Sequence, residues 1–372
     1  MSLVLTRIQN IRANSNFDKF EYRPSRYGAL NAFMVQSEDP TGILTEELKQ
    51  KARTSIGNVL ETPVINYDAD ITIGSTRTLE IADSENTSKM AQITFATYAW
   101  GFTIAPAMYM NNEIGIQKDF ETKMMKYIYA FAKKLDETAL AALAANKTQV
   151  LKNKLLYDFS SNAINAKWSE RENVFGDLEV MMGANDFYGQ LHIVGDPGVE
   201  SIMRKLQQHG LYNDVNKQNE FGTKIVHLTN NIAANSGKYA QGYAVNAGSL
   251  GMLTRFERDC LLGTVSGDGH EWGIATLPLL NMPVGTYFYD SVGDYNAIAE
   301  AATADMTRTR KEHYGFAVDV AFLTAYNSAP STLASPILAF NVSSEDAVYA
   351  KPVVVMNTED NPVNTKAVGA GG

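Results

Sequence analysis

Between Gln117 and Ala145 the apolar residues Phe120, Met124, Ile128, Phe131, Leu135, Ala139 and Ala142 recur every three or four positions, with no Gly or Pro among them. That spacing predicts one unbroken helix, about 44 Å long at about 1.5 Å per residue. Just upstream the period changes. Tyr98, Trp100, Phe102 and Ile104 alternate with Thr97, Ala99, Gly101 and Thr103, the two-residue repeat of a strand. The stretch 63–105 is rich in Val, Ile, Thr and Tyr, with a turn signal at Gly74-Ser75 and the polar run Asp83-Ser84-Glu85-Asn86. It reads as a long antiparallel excursion with a polar tip, which must pack on something because a lone hairpin is marginal.

Elsewhere the signals are shorter. Thr45 followed by Glu46 and Glu47, with Lys49, Lys51 and Arg53 later, predicts a helix polarised to suit its dipole and stopped near Gly57. From 172 to 304 the pattern is α/β. Helices are expected at Val174–Met182 and from Gly195-Asp196-Pro197 to about His209, strands at 191–194, 224–228 and 243–246, and a helical turn at 249–253. Gly210–Gly222 is the most polar loop, and 316–324 and 336–342 return to strand composition. Residues 1–42 lack sustained periodicity and are expected to form an extended arm; the closing AVGAGG looks mobile.

Composition narrows the function classes. With 45% apolar and 20% charged residues over 372 positions, the chain can bury one large core or two smaller ones, which excludes disorder. The balance of 32 basic against 41 acidic residues argues against a general nucleic-acid binder, whose phosphate affinity rests on clustered cations. One cysteine, Cys260, supports neither an internal disulfide nor a cysteine-rich metal site. Arg7 and Arg12 interrupt any secretory signal, and no apolar run approaches the roughly 20 residues of a membrane span. A soluble intracellular product is expected.

Candidate chemistry is sparse. The five histidines show no metal spacing, and His192, in an apolar strand, reads as a core residue. Ser266–Trp272 gathers Asp268, His270 and Glu271 between glycines, either an acid/base loop or a solvated turn. Ala247–Gly251 centres Ser249 in a near-match to a nucleophile elbow but lacks its first glycine, and no phosphate-binding loop occurs. Asp68 and Asp70 supply too few oxygens for Ca²⁺. The basic run with Arg308, Arg310 and Lys311 is small enough to be a salt-bridged or solvated edge. No cofactor is implied.

The order of parts carries more: arm, hairpin excursion, very long helix, α/β module, returning strands. Ile93–Val150, where a strand runs into the long helix ending KLDETALAALAANKT, resembles the major capsid proteins of tailed bacteriophages, those of the Hong Kong ninety-seven fold. AVNAGSLGML (244–253) and NMPVGTYFYDSVGDY (281–295) add to the resemblance.

The resemblance implies an α+β chain that is a shell subunit and not an enzyme. Its parts would be an N-terminal arm (1–42), a short helix (43–62), an extended β-hairpin loop (63–112), and a peripheral domain with a long spine helix (113–171 and 305–345). An α/β axial domain (172–304) and a C-terminal segment (346–372) complete it. Such a subunit assembles with itself as pentamers and hexamers into an icosahedral head. The head encloses double-stranded DNA without sequence-specific binding, in a virion built in the bacterial cytoplasm, with portal, scaffolding and decoration proteins as partners and no membrane. With only about 40 residues before the first expected helix, scaffolding is expected from a separate protein or from none. Expected assembly contacts are Tyr22 and Tyr27 in the arm, Tyr98, Trp100 and Phe102 in the extended loop, and Arg308 and Arg310 at a subunit edge. Two other readings stay open: an encapsulin-like compartment shell, and a soluble α/β hydrolase using Ser249 and His270.

Overall fold

The computed structural model describes residues 3–13, 26–40, 42–55, 59–65, 88–109, 112–151, 157–210, 224–233, 235, 237–263, 270–293, 309–325 and 334–344. Tyr22, Arg308, the Asp83–Asn86 tip, the Gly74-Ser75 turn, Asp68, Asp70, Ser266–Gly269, residues 211–222 and the C-terminal segment from 345 lie outside them. The chain is α+β and divides into two compact units, one made of residues 1–17, 44–127 and 252–323, the other of 18–43, 128–251 and 324–372.

In the first unit, helix α1 (Leu3–Ala13) buries Val4, Ile8 and Ile11 at helical spacing, and α3 (Glu46–Thr54) starts where Thr45 Oγ1 accepts the Leu48 N–H at 3.3 Å. Strands β1 (Val59–Ile65) and β2 (Ser88–Thr94) pair antiparallel as a two-stranded ribbon. After the single residue Phe95 the chain continues as β3 (Ala96–Ile104), which joins a sheet with β10 (His270–Thr276), β11 (Pro283–Gly293) and β12 (Thr309–Thr324) in the order β10-β11-β12-β3. Strand β9 (Leu250–Arg255) also pairs with β12, and the short helix α7 (Arg258–Leu262) follows it. The predicted alternation of β3 holds: Phe102 and Ile104 are buried, Tyr98 and Trp100 half-buried, and Thr97, Ala99, Gly101 and Thr103 exposed.

A short 3-10 turn (Pro106–Tyr109) leads from β3 to α4 (Glu113–Asn146), a single helix of 34 residues and about 51 Å. Asn112 Oδ1 accepts the Gly115 N–H at 3.2 Å and caps the helix, whose first residue, Glu113, lies four residues before the predicted start. Phe120 and Met124 are fully buried in the first unit, where the rings of Phe102, Phe120 and Tyr314 lie 5.0–5.4 Å apart.

The second unit is built on a six-stranded sheet. Its strands are β4 (Asp158–Ser160), β5 (Ala163–Ala166), β6 (Leu191–Gly195), β7 (Lys224–Leu228), β8 (Lys238–Asn246) and β13 (Ile337–Ser343), in the order β4-β5-β13-β8-β6-β7. Helices α5 (Val174–Ala184) and α6 (Pro197–Gly210) cover one face, where Phe175, Leu178, Met181, Val199 and Ile202 pack on Leu191, Ile193, Ala240, Ala244 and Phe340. The expected entry to α6 holds, with Asp196 Oδ1 accepting the Val199 N–H at 3.0 Å and Pro197 at the first helical position. Helix α2 (Gly28–Ser37) packs on β6 and β7.

Two expectations are corrected. Residues 1–42 contain helices α1 and α2 where an extended arm was expected; buried Arg7 on the apolar stripe of α1 hides its periodicity, and α2 is short and built partly from alanine. The expected helical turn at 249–253 is instead the start of β9, entered through Gly248 at φ 75°. Its apolar residues serve a buried strand, and a run this short carries no period that separates the two.

Candidate assembly surfaces

The ribbon pairs Val59 with Thr94 at one end and Ile65 with Ser88 at the other. Leu60 and Ile93 face each other across it and are both buried, whereas Val59 is 45% exposed. Glu61 and Gln92 form a cross-strand hydrogen bond at 3.2 Å, and Lys51 Nζ of α3 donates to Glu61 O at 2.7 Å. The base of the ribbon is therefore fixed to α3.

Two charge clusters hold the strands, a part-buried one where ribbon becomes sheet and a buried one at the far end of β3. Arg255 Nη2 donates to Asp319 Oδ2 at 2.8 Å, its guanidinium lies 4.7 Å from the Phe95 ring centre, and Thr97 Oγ1 donates to Asp319 Oδ1 at 2.7 Å. Further along, Arg7 of α1 bonds Glu312 at 3.1 Å, and the Tyr314 hydroxyl donates to the same carboxylate oxygen at 2.6 Å. Burial, then the bond to Glu312, pushes the Tyr314 hydroxyl well above the ordinary tyrosine range. Neither cluster was legible in the sequence, because the partners stand 64 and 305 residues apart.

The predicted contact residues fall in different settings. Tyr98 and Trp100 are half-buried on β3, and Trp100 stacks on Phe316 at 5.6 Å. Phe102 is only 8% exposed and packs within its own unit against Phe120, Tyr127, Tyr314 and Phe316. Tyr27 bridges to Thr229, and its hydroxyl donates to Tyr129 O at 3.5 Å. Arg310 is exposed and paired with Asp290 at 2.7 Å, the salt-bridged edge that its sequence context allowed.

The candidate catalytic residues belong to different units. Ser249 is a buried turn residue whose N–H donates to Asn246 O and whose carbonyl accepts the Ala325 N–H. His270 opens β10, bonds the Tyr287 hydroxyl at 2.6 Å and stacks among Trp272, Tyr287 and Tyr289. Cys260 is buried, and burial raises its thiol above the ordinary range. Among the described residues no group of three or more His, Cys, Asp or Glu is placed to hold a metal, and no helix is long and apolar enough to cross a membrane.

Asp136 is a junction that sequence reading missed. Fully buried on α4, it accepts the Leu30 N–H at 3.0 Å, the Thr229 hydroxyl at 2.6 Å and the Asn231 side-chain amide at 2.8 Å. Its only signal is its place within the helix, one residue after Leu135 and three before Ala139, both fully buried.

No family model matches the chain, and no curated protein does. Solved structures do. The capsid structure of the cyanophage P-SCSP1u is similar over 79% of this chain and 86% of its own, at 11% identity and a TM-score of 0.42. The capsid of Ralstonia phage GP4 covers 80% and 86% at 10% identity and a TM-score of 0.39, and the capsid of Myoviridae phage XM1 covers 83% and 97% at 11% identity and a TM-score of 0.39.

Proposed function

We propose that this chain is the major capsid protein of a tailed bacteriophage, a subunit of the Hong Kong ninety-seven type that assembles through pentamers and hexamers into an icosahedral head around double-stranded DNA. One observation carries the reading. The antiparallel ribbon β1–β2 passes through β3 into the 34-residue helix α4, and an α/β unit with its own core follows, which is the order of parts on which the sequence resemblance rests. The ribbon's seven paired positions bury only one apolar pair, Leu60 and Ile93, among the residues whose burial is described, so its remaining surface is suited to contacts between subunits. Many such contacts around a closed shell add up through multivalency. A chain with 32 basic against 41 acidic residues suits a container wall that holds DNA without gripping it.

Size-exclusion light scattering and negative-stain electron microscopy of the full chain test this, alone and co-expressed with portal and scaffolding proteins. Closed shells, tubes, or free pentamers and hexamers are expected. A monomer or dimer under every condition would overturn the reading, and shells filled with protein cargo but devoid of DNA would replace it with a compartment shell.

A further inference from the structure

Two histidines lie side by side inside the second unit. His192 on β6 and His227 on β7 are 3% and 8% exposed, and His192 Nδ1 stands 3.1 Å from His227 Nε2 with the rings 10° from parallel. Alternation along β6 puts His192 and Val194 on the face opposite Leu191 and Ile193, which pack under α5 and α6. Helix α2 covers the histidine side. A Cβ at Gly28 would stand 2.6 Å from the carbonyl carbons of both His227 and Leu228, so the first turn of α2 touches the β7 backbone itself.

Few charges surround the pair. Helix α2 has no titratable residue, and Arg26 and Tyr27 precede it. Beyond its end, Asp39 favours a proton on His192. Tyr243 on β8 is half-buried, and the loss of solvent around it raises its hydroxyl above the ordinary tyrosine range. Asp136 of α4 is taken up by three donors, and Lys224 of β7 pairs with Glu179 of α5 on the opposite face.

A bond between two imidazoles needs one N–H and one lone pair. The first proton taken up leaves such a bond intact; the second turns both facing nitrogens into donors and sets two cations beside one another under an apolar helix. We infer that the His192–His227 pair is an acid-released latch, whose double protonation detaches α2 from β6 and β7 while the α5 and α6 side of the sheet stays closed. Burial lowers the affinity of both rings for protons, His227 down to about 4. A histidine freed from the latch titrates near 6.5, so the stabilisation is complete above about pH 6.5 and is lost as pH falls through about 4.

Hydrogen exchange of the full chain, corrected for intrinsic rates, tests the latch between about pH 7 and about pH 4.5. Peptides covering 28–37 should exchange roughly tenfold faster at the acid end, and those covering 174–184 should change by less than about twofold. In the double variant His192→Gln/His227→Gln, whose side chains take no proton, the tenfold rise should vanish. Unchanged protection of α2, equal acceleration of α2 and α5, or a rise that persists in the variant would each overturn the inference. If the variant does not fold, the contrast between the two helices in the parent chain decides.

Discussion

Replacing Asp136 with alanine removes the acceptor of three donors, the buried ones of Leu30 and Thr229 and the half-buried side-chain amide of Asn231. A hydrogen bond to a charged group contributes about 1.5–3 kcal/mol, and each donor left unsatisfied costs about 1–3 kcal/mol. The variant also escapes the desolvation cost of a buried carboxylate, which offsets several kcal/mol of the gross loss, and bonds sharing one acceptor do not add. The net destabilisation expected is on the order of 3 kcal/mol, which for a unit of this size lowers the melting temperature by roughly 6–12 °C. Differential scanning calorimetry reads it directly. Asp136→Asn, which keeps one acceptor oxygen but turns an amide toward donors, should fall between parent and alanine variant. Thr229→Val removes one of the three donors and should cost about 1 kcal/mol. The double variant Asp136→Ala/Thr229→Val should be less destabilised than the sum of its parts. A melting temperature for Asp136→Ala within about 2 °C of the parent would refute the reasoning, because the three short contacts would then carry no net free energy.

Other outcomes follow from the same geometry. Gly198→Ala should destabilise more than Gly28→Ala in chemical denaturation, since its Cβ would meet Tyr239 O at 1.9 Å against 2.6 Å for the nearest atom to Gly28. Arg255→Ala should cost about 3 kcal/mol by leaving the mostly buried Asp319 carboxylate without its cation, and a paired Arg255→Met/Asp319→Leu variant should recover part of that in the same assay. Phe131→Asp puts a charge at a position 5% exposed on α4, and loss of soluble folded protein by circular dichroism is the expected result. The sequence expectation of a polar tip at Asp83–Asn86 is tested by deleting it: the monomer's melting temperature should stay unchanged and particle formation should fall, and particles as abundant as the parent's, counted by electron microscopy, would contradict that placement of the tip.

What could be read from sequence was what is periodic and local. Helix α4 announced itself because seven apolar residues keep one helical face through about six turns, and β3 because aromatic and small polar residues alternate without a break. Helix α1 escaped because Arg7 occupies its buried stripe, and only the distant Glu312 and Tyr314 make that tolerable. Strand β9 escaped because Leu250, Met252 and Leu253 fit a helical turn equally well in isolation. Of the expected contact residues, Tyr98 and Trp100 keep part of their surface, while Phe102 continues the same alternation into the core, so the pattern located the face but not the depth at which it closes. Charge clusters were invisible for a different reason. A salt bridge has no sequence period, and the partner is chosen by the fold.

The passage from ribbon to sheet through the single residue Phe95 has a mechanical consequence. No loop separates β2 from β3 to absorb slack, so tension applied at the ribbon is delivered along the axis of β3. Nine antiparallel positions, Ala96 opposite Val320 through Ile104 opposite Glu312, meet that load in shear, and their hydrogen bonds must yield together. The ribbon's own seven pairs, prised apart sideways, open one rung after another. The same strand is thus a tether where it lies in the sheet and a zip fastener where it lies in the ribbon, with the buried ring of Phe95 under the Arg255 guanidinium marking the change.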